Sequence, residues 1–77
     1  MRKSWNHTTA KGILMIVEQL PSGKWLGQLT GPEIVETSRG PHLTITDFVL
    51  DHYTTAKDAL DGIGYPVEIA GIPAELR

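Results

Sequence analysis

Apolar and polar residues alternate in blocks along the chain. The first block, Ile13-Leu14-Met15-Ile16-Val17, is unbroken until Glu18. A short continuous run of this kind predicts a strand over Gly12 to Leu20, apolar on both faces. Leu20-Pro21-Ser22-Gly23-Lys24 then predicts a tight turn. Pro21 presets φ for its position, Ser22 suits the next, and Gly23 is free to take positive φ. Trp25 to Thr30 predicts the returning strand. Gly27 inside it marks a bulge or a close approach by another group. Gly31-Pro32 reads as the next turn, Ile34 to Thr37 as a short third strand, and Ser38-Arg39-Gly40-Pro41 as a loop.

Beyond the loop the period changes. Phe48, Val49, Tyr53, Ala56, Ala59, Leu60 and Ile63 fall on one arc of a helical wheel, with Asp47, Asp51, Asp58 and Asp61 opposite. This predicts an amphipathic helix over 47–63. Thr46 suits its N-cap, Ile45 and Leu50 a hydrophobic staple, and Gly64 with Pro66 its end. The β-branched pair Thr54-Thr55 weakens that helix. The competing reading is a strand over 43–50 followed by a short helix from Thr55. Val67 to Ala70 predicts a closing strand before Gly71 and Pro73.

These elements add up to a two-layer α+β fold in the order β-β-β-α-β: a small antiparallel meander with one amphipathic helix on one face and a short C-terminal strand. Residues 1–10 show no period and read as a mobile or loosely docked arm. Residues 11–72 form the single domain, and 73–77 a flexible tail.

Composition narrows the class. At 77 residues the chain is one domain, and one this size buries only about 60% of its unfolded surface. It has no cysteine, which excludes a disulfide framework, a thiolate metal site and a cysteine nucleophile, and points to the cytoplasm. No apolar run is long enough for a membrane span or signal-peptide core. The net charge of −2 is uneven, because residues 47–77 hold six of the nine acidic groups.

No residue pattern supplies a catalytic motif, so the reading is non-enzymatic and implies no cofactor or metal. His52, on the apolar arc, is a general base or ligand in one reading and a core-edge histidine in the other. His7, His42 and His52 match no zinc spacing. Asp47 and Asp51 are too few oxygen ligands for a hard cation. Gly62-Ile63-Gly64 ends a helix where a phosphate loop would open one. The stripe Asp47, Asp51, Asp58 and Asp61 is either a solvated helix face or a docking surface for a basic protein partner. Trp25, a core residue in the plainer reading, is a stacking platform in the alternative. There it joins Lys11, Lys24 and Arg39 as contacts for nucleic acid.

A hairpin containing Gly23-Lys24-Trp25, then a third strand, then Thr54-Thr55-Ala56-Lys57-Asp58-Ala59-Leu60, resembles the small bacterial β-β-β-α domains, HicB-type antitoxins among them. The likeness is one of element order over residues 12–63. The proline- and glycine-rich signature of that family between strands and helix is missing, so no function is carried over from it.

One feature of the pattern bears on association. Ile13, Met15 and Val17 point to one face of the sheet, Leu14 and Ile16 to the other. A single helix covers one face and leaves the other to the N-terminal arm with Trp5, to a heterologous partner or to a second copy. Exposed patches of that size are rare on monomers, and a twofold dimer is the commonest solution. The expectation is a small protein-binding or regulatory module that forms a homodimer. A nucleic-acid-binding domain using the basic meander is the alternative.

Overall fold

The structure is a computed structural model that describes residues 3–77. Four antiparallel strands form one sheet in sequence order: β1 Ser4–Thr8, β2 Leu14–Gln19, β3 Trp25–Thr37 and β4 Gly40–Tyr53. Helix α1, Ala56–Gly62, lies on one face. A helical turn α2, Val67–Ala70, and a 3-10 turn, Ala74–Leu76, complete the chain. The α+β class and the helix-on-meander architecture are as the sequence predicts. The element order is not: it runs β-β-β-β-α-α, and five segments depart from expectation.

The largest correction concerns residues 40–53. They form β4, so the helix over 47–63, its Thr46 cap and its Ile45–Leu50 staple do not exist. The competing reading, a strand and then a short helix capped at Thr55, is the one adopted. Thr55 is extended, and its hydroxyl accepts a hydrogen bond from the Asp58 amide at 3.1 Å. Leu43-Thr44-Ile45 suit a pleated surface better than a helix. β4 pairs with β3 from Thr37↔Gly40 to Trp25↔Tyr53, with one register shift between Gly27 and Trp25. Within 47–63 only Ala56, Ala59, Leu60 and Ile63 form a helical face, and all four are buried.

The second correction concerns Gly31-Pro32. No turn forms there, and β3 runs straight through. The pair marks instead where β2 ends, at Leu14↔Thr30. A Cβ on Gly31 would lie 2.8 Å from the Ile13 Cα, so only glycine lets that chain pass. Pro32 has no N–H to donate and sits where β3 has outrun its neighbour, a place where strands tolerate proline.

The remaining corrections lie at the chain ends. In the segment read as an arm, residues 4–8 are strand β1, paired from Ser4↔Glu18 to Thr8↔Leu14; residues 1 and 2 lie outside the described residues. The segment read as a closing strand, Val67–Ala70, is a helical turn. Pro66 begins a turn whose Ala70 amide donates to the Pro66 carbonyl at 2.9 Å. The segment read as a loose tail is docked. Leu76 is buried, Lys3 Nζ donates to the Arg77 carbonyl at 2.6 Å, and Arg77 Nε donates to the Ile72 carbonyl at 2.9 Å.

Other expectations hold. The Leu20–Lys24 turn closes with the Gly23 amide on the Leu20 carbonyl at 2.9 Å, Gly23 standing at φ 90°. Gly27 shows both of its predicted meanings. The β3–β4 register shifts beside it, and a Cβ there would meet Ile63, Tyr53 and the Ala59 carbonyl at 3.1–3.2 Å. Helix α1 therefore rests directly on the β3 backbone. The core is Val17, Trp25, Ala56, Ala59, Leu60, Ile63, Val67 and Leu76, ringed by Trp5, Met15, Leu29, Tyr53, Tyr65 and Ile72.

Candidate functional site

Strand pairing sets up the most distinctive surface. Because β2 stops at Leu14↔Thr30, residues 31–37 of β3 and 40–46 of β4 continue alone as a two-stranded ribbon. The molecule is drawn out to 48 × 26 × 18 Å. Strand alternation gives the sheet a face under α1 and an open face. The face under α1 carries Met15, Val17, Trp25, Leu29 and Phe48. The open face carries Leu14, Ile16, Leu26, Val49, Ile45, Leu43 and Ile34.

Burial along the open face is uneven. Leu14, Ile16 and Leu26, flanked by strands on both sides, are half-buried. On the ribbon, Ile34 is 69% exposed, Leu43 67% and Ile45 75%. Ile34 stands opposite Leu43, and Pro32 opposite Ile45, so these side chains form one apolar strip. A polar ladder separates the strip from the sheet: Gln28 Nε2 donates to Thr30 Oγ1, which donates to Asp47 Oδ1 at 2.8 Å. At the root of the ribbon, under the other face, a cleft of about 280 Å³ is lined by Ile13, Leu29, Gly31, Pro32 and Glu33. It has the size of one or two side chains, below the usual small-molecule pocket.

The acids predicted to share a helix face do not share one. Asp47 and Asp51 are on β4, Asp58 and Asp61 on α1. Asp61 is paired with Lys57 at 3.0 Å. That hydrogen bond, and then the Asp61 charge, hold the Lys57 pKa above its ordinary value. The predicted nucleic-acid contacts also scatter. Lys11 is in the β1–β2 turn, Lys24 in the turn at the other end of the sheet, and Arg39 at the ribbon tip. Trp25 is 7% exposed, in the core. Trp5 packs edge-on against Tyr65, on the helix-covered face, so it is not a lid for the open one. His52 is an exposed strand residue stacked on Tyr53, not part of a helical arc. Among the described residues no three of His, Cys, Asp and Glu gather as metal ligands.

The ribbon was missed in the sequence because Gly31-Pro32 reads as a turn. The usable signal was the alternation from Leu43 to Val49, which places Leu43, Ile45 and Val49 on one side.

No family model matches the chain, and neither a curated protein nor a solved structure matches it. Among the described residues no helix is long and apolar enough to cross a membrane.

Proposed function

We propose that this chain is a small non-enzymatic protein-binding or regulatory module that associates with itself through the β3–β4 ribbon. The observation that carries the reading is the apolar strip of Ile34, Leu43 and Ile45 on a ribbon with no third strand beside it among the described residues. A two-stranded ribbon is marginal on its own. Covering each such side chain is worth about 1.5–3 kcal/mol. A closed twofold dimer lowers the exposure of Leu43 and Ile45 without any other molecule. The lack of cysteine supports a cytoplasmic setting.

The alternative, nucleic-acid binding, draws little support from Lys11, Lys24 and Arg39 held far apart around a buried Trp25. A basic protein partner draws less than it would from one acidic stripe, since the four aspartates are divided between β4 and α1.

Light scattering after size exclusion, with the chain at tens of micromolar, tests the reading. The expected mass is that of two chains. Leu43→Lys combined with Ile45→Lys is expected to give the mass of one chain with unchanged circular dichroism. A wild-type mass of one chain at that concentration overturns the reading.

A further inference from the structure

The sheet has three stretches of strand with no neighbour among the described residues, and they are guarded differently. The outer edge of β1 is five residues long and polar, SWNHT apart from its tryptophan. The overhang of β3 begins at Gly31 and carries Pro32, which cannot donate a ladder hydrogen bond. The outer edge of β4 runs from Gly40 to Tyr53. Between Pro41 and the register shift beside Leu50, residues His42 to Leu50 contain no proline, glycine, lysine or arginine. Natural edge strands are blunted by short length, proline, bulges or lysine, because a bare edge is a template for another strand. Two of the three edges carry such a device, and the pairable middle of β4 does not.

Exposure on β4 says what is missing. Leu43, Ile45 and Val49, on the open face, are 67%, 75% and 47% exposed; Phe48, on the face under α1, is 38% exposed. A layer laid over the sheet would meet only one of these sets. A strand alongside β4 flanks both.

We infer that the neighbour is β4 of a second copy, paired antiparallel about a twofold axis normal to the sheet, so that two meanders join into one eight-stranded sheet. This rests on the self-association proposed above and names the contact that forms it. The run itself argues for a copy of itself. Opposed residues of an antiparallel pair point to the same face, and the axis keeps the open faces together. The register that sets Leu43 opposite Val49 of the other copy sets Ile45 opposite Asp47. The only carboxylate of the run then faces an aliphatic side chain and not its own image. The run spans roughly 30 Å at ~3.4 Å per residue and is one sheet thick, about 10 Å, which is a few hundred Å² on each copy. Doubled over two copies, that is below the roughly 1,000 Å² expected of a lasting interface, so the dimer is expected to be weak and to dissociate on dilution.

Residue-by-residue amide hydrogen exchange of the whole chain tests this, with the mass measured at each concentration. Antiparallel pairing to β3 uses alternate amides of β4. Those are expected to be protected at every concentration. The other amides between His42 and Leu50 are expected to be protected in the dimer and to exchange at least tenfold faster after dilution to the monomer. A dimer in which the β4 amides not paired to β3 exchange freely overturns edge pairing and leaves self-association standing. A single-chain mass throughout overturns both.

Discussion

Two halves of the same sheet are built on opposite terms. Where α1 covers it, side chains are taken out of water by a second layer. Val17, Ala59 and Leu60 are fully buried, and the backbone of Gly27 touches the helix. On the ribbon there is no second layer and no third strand among the described residues. Hydrogen bonds between β3 and β4 are the chief support there, and branched apolar side chains stand in solvent. The covered half therefore carries stability, and the ribbon is the part free to meet another molecule. The difference comes from one event in the chain, the end of β2 at Leu14 while β3 continues for seven more residues beyond Thr30.

The sharpest test of the contrast is a charge in the covered half. Ala59→Asp buries an unpaired carboxylate between helix and sheet and is expected to unfold a domain this small, whereas the exposed neighbour change Asp58→Ala is expected to alter the melting temperature little. Equal tolerance at the two sites would mean that α1 is not seated on the sheet. Leu60→Ala is a milder form of the same test. It is expected to lose about 2–5 kcal/mol in urea titration by opening a cavity in the core.

The docked C-terminus belongs to the covered half, and Leu76→Ala measures by how much. A loss of about 2 kcal/mol is expected, the low end for leucine because the 3-10 turn sits at the margin of the core. Ile34→Thr, on the ribbon, is expected to change the stability of the monomer by no more than about 0.5 kcal/mol. A larger loss at Ile34 than at Leu76 would reverse the assignment of the two halves.

The smallest effect is at the exposed Lys57–Asp61 pair on α1. The folded-state pKa of Lys57 is raised, so its contribution is fully present below the unfolded value of about 10.4 and fades as pH rises through the folded one. Asp61→Asn is expected to leave the urea midpoint near neutral pH almost unchanged, as for other exposed pairs. The variant should also lessen the share of pH dependence above about pH 10 that Lys57 contributes, Glu68 and Asp58 still acting on it.

The contrast was only half legible in the sequence. The first strand, the Leu20–Lys24 turn, the close approach at Gly27 and the apolar face Ala56-Ala59-Leu60-Ile63 are local, and local patterns announce them. β4 was not, because Phe48, Val49 and Tyr53 satisfy a helical wheel as readily as they satisfy two faces of a strand. Only pairing with β3 decides between the two. β1 was hidden for a related reason. Its side chains Ser4, Asn6, His7 and Thr8 carry no apolar period, and it is a strand because β2 offers it an edge. The acidic stripe disappeared along with the helix that defined it.

The strand order has a consequence for how the chain acquires its shape. Every strand pairs with the strand next to it in sequence, so each step of sheet formation closes a short loop, as hairpins do within microseconds. Among the described residues, the contacts that span nearly the whole chain are those of β1 and Lys3 with the C-terminal 3-10 turn, including the Lys3 side chain on the Arg77 carbonyl. Loop-closure entropy places those contacts last. The ribbon, held by the shortest loop of all, is then formed early. It is presented to other molecules before the C-terminal turn seals the core.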